Sequence, residues 1–183
     1  KGRFITEDPI RDGTNWYTYC AGNPVMFTDP RGLEKIVVSG GKYSQNPDYL
    51  NYEFIETALS KLWDHMVETS ESGETVTWII ADAGWSEQQK NDFQAAVHPS
   101  RINVQFIENK YQLKRYINNK NIIGGENFRE GDEITSFTVF SHGYGTDGGS
   151  VELGHDSGSS ADFSLKASDI KNLNRSAFNN PKS

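Results

Sequence analysis

The fold is best derived from "TVTWIIAD", residues 75–82. This short run of apolar and β-branched residues predicts a buried strand. The segment before it predicts a helix, because apolar residues recur there at helical spacing: Ile55, Leu59, Leu62 and Met66. A second apolar strand, "KIVVS" at residues 35–39, precedes that helix. Two strands joined by a helix of this length predict parallel pairing through a right-handed crossover.

The same alternation continues towards the C-terminus. Ser86 and Gln89 have the spacing of a capping box, which predicts the start of a second helix. A third strand is predicted at residues 102–106, a short helix capped by Asn109 after it, and a fourth strand at residues 134–141. The predicted fold class is therefore α/β, with a three-layer arrangement in which helices flank a mostly parallel sheet.

Composition and charge narrow the classes of function. The chain of 183 residues is 35% hydrophobic and 12% aromatic, which is enough for a substantial core. Its formal net charge is −7, and residues 1–33 carry equal numbers of basic and acidic side chains, so the surplus belongs to residues 34–183. Nucleic acid is therefore an unfavourable partner, because phosphate binding needs clustered basic residues. Without a long apolar run or a leader-like start, we expect neither a membrane span nor a signal peptide.

The segment "SFTVFSHGYGTDGGSVELG", residues 136–154, is the strongest candidate for a site. His142 directly follows the fourth predicted strand, and ligands of parallel sheets gather beyond the carboxyl ends of strands. Residues 143–148 fit G-x-G-x-x-G, but a dinucleotide loop must lead into a helix, whereas "SVELG" predicts a short strand. The G-x-S-x-G pentapeptide of α/β-hydrolases does not occur in the chain.

Other histidines and acidic residues are weaker candidates. His142, Asp147, His155 and Asp156 are close in sequence, but their spacing matches no usual zinc pattern. His65 lies on the long predicted helix and His98 precedes a proline, so we expect surface or packing roles for both. The expectation is a site without a metal ion or cofactor.

The N-terminal residues differ in kind from the rest. They are rich in turn formers and aromatic residues, which predicts short strands and tight turns. "GRFITEDPIRDGTNWYTYCAGNPVMFTDPRGL", residues 2–33, resembles the last segment of the Rhs/YD-repeat shell proteins, with its G-R-F-x-x-x-D-P opening and D-P-x-G-L ending. The resemblance implies that residues 1–33 are the end of an Rhs shell and that residues 34–183 are a variable effector, commonly a toxin. It also implies delivery at the cell surface or by secretion, and an immunity protein as a possible partner.

Some Rhs relatives cleave themselves after the final leucine with paired aspartates. Carried over by resemblance, the aspartates would be Asp8 and Asp29, and cleavage would follow Leu33. Two carboxylates that share a proton can perform such chemistry. The alternative is structural, because an aspartate before proline is commonly a turn residue that bonds its own backbone.

A second resemblance concerns the effector. A hydrophobic strand that ends in Ser141-His142-Gly143, with a glycine-rich turn and a hairpin behind it, resembles the histidine motif of caspase-type cysteine peptidases. In addition, residues 162–183 are similar to the helix that leads to the family's next strand. The resemblance implies a caspase-like fold, a protein substrate, His142 as catalytic histidine and the Gly143 N–H as an oxyanion donor.

The nucleophile of that family is missing from the matching position. In the family the next strand ends in the catalytic cysteine, whereas the single cysteine here, Cys20, falls within the Rhs-like segment. We therefore expect either that the chain continues past Ser183 to a cysteine or that the domain is inactive. Two other functions stay open: a nuclease-type Rhs toxin and a binding module without catalysis. A structural alternative for His142 is a strand-end histidine bonded to nearby backbone, with glycines that only permit tight turns.

Overall fold

A computed structural model describes residues 33–43, 48–118, 133–144, 149–154 and 163–179. The first half contains strand β1 (Leu33–Ser39), helix α1 (Asp48–Asn51), helix α2 (Glu53–Glu68), strand β2 (Thr75–Ala81) and helix α3 (Glu87–Ala95). Strand β3 (Ile102–Ile107), helix α4 (Lys110–Asn118) and strand β4 (Glu133–Phe140) follow. These four strands form one parallel sheet in the order β3-β2-β1-β4. The α/β class with a parallel sheet between helices is thus confirmed.

The two central strands, β1 and β2, are buried on both faces, which is why each contains a run of consecutive apolar residues. Successive side chains of a strand point to opposite faces, so each strand contributes to two cores. One core joins the sheet to α4, and its members include Ile36, Val38, Ile79, Leu113 and Ile117. The other joins the sheet to α2 and α3, and its members include Val37, Trp78, Ile80, Leu62 and Phe93.

Local sequence signals agree well with the observed element ends. The capping box is present, because the Gln89 N–H donates to Ser86 Oγ at 3.3 Å and the Ser86 N–H donates to Gln89 Oε1 at 3.0 Å. Asn109 caps α4 by accepting the Gln112 N–H at 3.0 Å. Strand β1 starts at Leu33, two residues earlier than its apolar pattern predicts, because Leu33 and Glu34 also pair with β4.

A small antiparallel sheet follows β4. It contains β5 (His142–Tyr144), β6 (Ser150–Glu152) and β7 (Ser164–Lys166), in that order. The strand predicted at "SVELG" is therefore confirmed as β6. The helix implied for residues 162–183 is replaced, in the part described, by β7, the five-residue helix α5 (Ala167–Lys171) and a 3-10 turn at Arg175–Ala177.

The chain then returns to the parallel sheet. Phe178 forms a parallel bridge with Ile134 at the amino end of β4, and the Asn179 N–H donates to the Ile134 carbonyl at 2.9 Å. The other edge of β4 is occupied by β1, so Phe178 meets the outer edge. The resemblance placed the next strand after Ser183, but parallel pairing already begins at Phe178. Among the helices of the described ranges, none combines the length and apolar character needed to cross a membrane.

Candidate functional site

The candidate site lies where the strand order reverses. From β1 the chain passes through β2 to β3 on one side, and it then crosses back to add β4 on the other side of β1. In open parallel sheets this arrangement leaves a crevice beyond the carboxyl ends of the two diverging strands, here β1 and β4. His142 lies two residues after the end of β4, and its side chain is exposed. The position expected for His142 at a strand end is the one the structure has.

Two aromatic rings hold the His142 imidazole from different parts of the chain. The ring centroid of Tyr43, from the loop after β1, is 4.5 Å from that of His142, with an angle of 88° between the planes. The ring of Phe54, in the first turn of α2, is 4.9 Å away at 89°. Edge-to-face contacts of this kind stabilise a particular ring orientation. Within the described ranges, neither imidazole nitrogen has a hydrogen-bond partner, so both remain open to a ligand.

The Tyr43 ring is itself fixed by hydrogen bonds. Its hydroxyl donates to the Glu152 carbonyl at 2.5 Å, and its backbone N–H donates to Asn51 Oδ1 at 2.8 Å. Glu152 is the residue opposite His142 in the β5–β6 pair, and the Ser141 hydroxyl donates to the same Glu152 carbonyl. These bonds connect the loop after β1, the end of α1 and the β5–β6 hairpin around one imidazole.

The Glu152 side chain continues this network on the hairpin. Its Oε1 accepts the Ser150 hydroxyl at 2.6 Å and the Ser164 hydroxyl at 2.8 Å. The bond from Ser164 ties β6 to the neighbouring strand β7. The hairpin that carries His142 is therefore held at its base by side chains as well as by its short ladder.

In the described part of the loop after β1, residues 40–43, every backbone amide already has a partner and none is free for a phosphate. The N–H groups of Gly40, Gly41 and Lys42 donate to the carbonyls of Phe140, Leu153 and Ala83, respectively. The next amide, that of Tyr43, is taken by Asn51. A Cβ atom on Gly41 would lie 2.7 Å from the Ala83 carbonyl oxygen and 2.8 Å from the Ala83 Cβ. The glycine serves close packing of loops.

No nucleophile stands ready beside His142 in the described part of the chain. The adjacent hydroxyls of Ser141 and Tyr43 both donate to the Glu152 carbonyl, so they are turned towards backbone. Cys20 lies outside the described residues. A thiol for the predicted chemistry has to come from elsewhere in the protein.

Gly143 sits in β5 opposite Val151. A Cβ atom built on Gly143 would meet nothing within 4 Å, so space does not require glycine here. The role of its N–H as an oxyanion donor stays a prediction. In the described ranges, no group of three His, Cys, Asp or Glu side chains is arranged to hold a metal ion, and Asp147, His155 and Asp156 lie outside those ranges.

The residues assigned to shell cleavage are only partly covered. Asp8 and Asp29 lie outside the described residues. Leu33 is the first residue of β1, paired with Glu133 of β4, and is 7% exposed. Glu34 is 2% exposed, and its Oε1 accepts a hydroxyl hydrogen from Thr77. The bond between residues 33 and 34 is thus buried in the sheet, and a protease would reach it only with the amino end of β1 unpaired.

The two other histidines in the described ranges, His65 and His98, lie away from His142. His65 is 2% exposed inside the α2 face, and its Nδ1 lies 3.0 Å from Glu68 Oε2. Burial lowers the pKa of His65 below its usual value, although the hydrogen bond to Glu68 opposes that effect. His98 is exposed, and its ring Nδ1 lies 2.9 Å from the Ser100 hydroxyl. The expected packing and surface positions are confirmed.

A separate apolar groove lies near the other end of α2. Trp63 and Val67 are 65% and 62% exposed, and Met66 and Arg101 help to line the groove. Val67 is 13 residues from Phe54 along the helix, a separation of about 20 Å at the helical rise. The groove is therefore remote from His142.

Sequence reasoning missed Tyr43, Phe54 and Glu152. Tyr43 and Phe54 precede His142 by about a hundred residues, and only the sheet order brings them together. The signal that existed was weak: a tyrosine after a Gly-Gly pair and a phenylalanine in the first turn of a predicted helix. Comparison with known proteins adds no further constraint, because no family model, curated protein or solved structure matches the chain.

Proposed function

We propose that residues 34–183 belong to the effector of an Rhs-type polymorphic toxin, with a site like that of cysteine peptidases in which His142 transfers protons. One observation carries the proposal: an exposed imidazole at the switch point of a parallel sheet, held by two rings and with both nitrogens open. A structural histidine at a strand end would instead bond nearby backbone. The substrate class is protein in a target cell, with an immunity protein as the natural antagonist.

The reaction follows from the chemistry of a thiol beside an imidazole. His142 takes the proton of the thiol, and the thiolate sulfur attacks the scissile carbonyl carbon. The resulting oxyanion accepts hydrogen bonds from the Gly143 N–H and from the N–H of the cysteine. His142 then gives its proton to the leaving amine as the C–N bond breaks, and water hydrolyses the thioester.

The outer edge of β4 is the natural place for the strand that supplies the thiol. Phe178 enters that edge in parallel, opposite Ile134. His142 follows the end of β4, eight residues after Ile134, and a parallel partner strand advances at the same rise as β4. A strand continuing from Phe178 would come level with His142 about eight residues later. A cysteine near that point would be the partner that the mechanism requires.

The test is killing of target cells by the whole Rhs-type protein, with any residues that are encoded after Ser183 included. Removing a proton-transfer group typically costs a factor of about 10² to 10⁴. We expect His142→Ala to abolish killing and His98→Ala, the exposed control, to leave it intact. Full killing by the His142→Ala protein would exclude the proton-transfer role.

A binding module without catalysis is the second candidate. It is favoured by the bonds of the Ser141 and Tyr43 hydroxyls to the Glu152 carbonyl, which turn both of these neighbours of His142 away from the role of nucleophile. The two functions differ in their dependence on a thiol. Loss of killing after alkylation of a single downstream cysteine supports the peptidase, and killing that is indifferent to alkylation supports the binding module.

A further inference from the structure

Catalytic imidazoles are usually oriented by a hydrogen bond from one ring nitrogen to a carboxylate or carbonyl. The described surroundings of His142 contain no such acceptor within hydrogen-bond distance of the ring. The closest contacts are instead the two aromatic rings, both nearly perpendicular to the imidazole. An exposed side chain with two rotatable bonds would otherwise sample several rotamers.

We infer that Tyr43 and Phe54 are positioning residues that orient the His142 imidazole by ring contact, with Tyr43 as the principal one. This inference rests on the proposed function, since orientation matters only if His142 transfers protons. Its consequence is that neither nitrogen is used to hold the ring. One nitrogen can face the thiol while the other faces solvent.

Tyr43 is the principal positioning residue because burial and two hydrogen bonds fix its place. The residue is 6% exposed, its hydroxyl donates to the Glu152 carbonyl, and its backbone N–H donates to buried Asn51. The Glu152 carbonyl belongs to the residue that pairs with His142 across the hairpin. The ring that orients the imidazole is thus bonded to the same hairpin that carries the imidazole, so both move together.

Phe54 has a different role because it lacks a polar group. It lies in the first turn of α2 and is half-buried. It gives the imidazole a second perpendicular ring contact, and its own place is set by the packing of α2 on the sheet. Loss of Phe54 should loosen His142 without breaking any hydrogen bond.

The direct test is the NMR signal of the His142 ring in protein labelled at histidine Cε1, assigned by its loss in His142→Gln. Aromatic rings at this distance displace the signal from that of free histidine. We expect Tyr43→Leu and Phe54→Leu each to move it towards the free position, and Tyr43→Phe, which keeps the ring, to retain most of the displacement. Tyr111→Leu, at an exposed tyrosine on α4, is the matched control and should leave the signal unchanged.

Killing by the whole protein is the second readout. A ring contact of this type corresponds to a factor of about ten in rate, so Tyr43→Leu should lower killing about tenfold and Tyr43→Phe much less. If Tyr43→Leu fails to fold, Phe54→Leu takes its place. An unmoved His142 signal in the folded leucine variants would overturn the inference.

Failure of the proposed function has a different signature. If His142→Ala kills as well as the wild type while the leucine variants still move the His142 signal, proton transfer is refuted and the ring contact is only structural. If His142→Ala abolishes killing but Tyr43→Leu and Phe54→Leu leave both signal and killing unchanged, only the positioning role is refuted.

Discussion

Asp169 offers the sharpest test of how the small sheet is joined to the main domain. Its Oδ2 accepts the Lys166 N–H and the Lys110 ammonium, each at 3.1 Å, and its Oδ1 accepts the Lys114 ammonium at 3.1 Å. Lys110 and Lys114 lie on α4, whereas Asp169 lies on α5 directly after β7. One carboxylate therefore connects the helix layer to the segment that supports the hairpin of His142.

The expected cost of Asp169→Asn follows from its pKa. The Lys166 N–H bond, followed by the bonds from Lys114 and Lys110, lowers the pKa of Asp169 from 3.8 to about 2. A shift of that size corresponds to about 2.4 kcal/mol of preference for the charged form. Solvent near Lys114 screens part of this electrostatic preference. The substitution also removes the carboxylate from Lys110, which is 9% exposed, so that the Ser164 carbonyl remains as a hydrogen-bond acceptor for its ammonium. We expect a loss of about 2 kcal/mol in the free energy of unfolding.

The pH dependence has a definite sign. The folded-state pKa lies below the unfolded value, so the stabilisation is complete above about pH 4 and is lost as the pH falls towards 2. The wild type should therefore approach the Asp169→Asn variant in stability across that window. Near neutral pH, the contribution of Asp169 to the free energy of unfolding should not depend on pH.

Urea unfolding followed by circular dichroism measures both effects. Asp64→Asn, at an exposed position of α2, is the control and should change the free energy of unfolding by less than about 0.5 kcal/mol. Equal stability of the Asp169 and Asp64 variants at pH 7 would contradict the stabilising network. If wild type and Asp169→Asn differed as much in free energy of unfolding at pH 2 as at pH 7, the charge of the Asp169 carboxylate could not be the cause.

Two further outcomes are expected. Gly41→Ala should lower the free energy of unfolding by about 1 to 3 kcal/mol, because the new Cβ would meet the backbone of Ala83. Gly143→Ala is the control and should change the unfolding midpoint little, because the space around Gly143 is open. Equal effects of the two substitutions would refute the packing argument. Burial lowers the pKa of His65 from 6.5, so wild-type stability should fall as the pH drops below about 6.5. The slope between pH 7 and 5 should flatten in His65→Gln, and an unchanged slope would show that another group is responsible.

Much of the main domain could be predicted from local sequence signals. The buried strand at residues 75–82 differs from the observed β2 by one residue, and the Ser86–Gln89 box forms both of its bonds. Such signals are reliable because a strand pattern or a cap depends on neighbours within a few residues. The strand end before His142 could be predicted for the same reason.

The C-terminal part was harder to predict. Residues 163–179 contain a short strand, a five-residue helix and a 3-10 turn, and none of these is long enough to show a clear period. Their positions depend on distant partners, such as the Lys110 and Lys114 ammonium groups for Asp169 and the Ile134 backbone for Phe178. Interactions over such sequence distances leave no local pattern.

The sequence by itself determined the elements and the histidine at a strand end, whereas the tertiary structure decided what surrounds that histidine. The order β3-β2-β1-β4 sets β1 beside β4, and this brings Tyr43 and Phe54 to His142. The physical reason is that backbone periodicity and capping act over a few residues, while strand order is set by burying both faces of one sheet. That burial is a property of the whole chain, and the site around His142 depends on it.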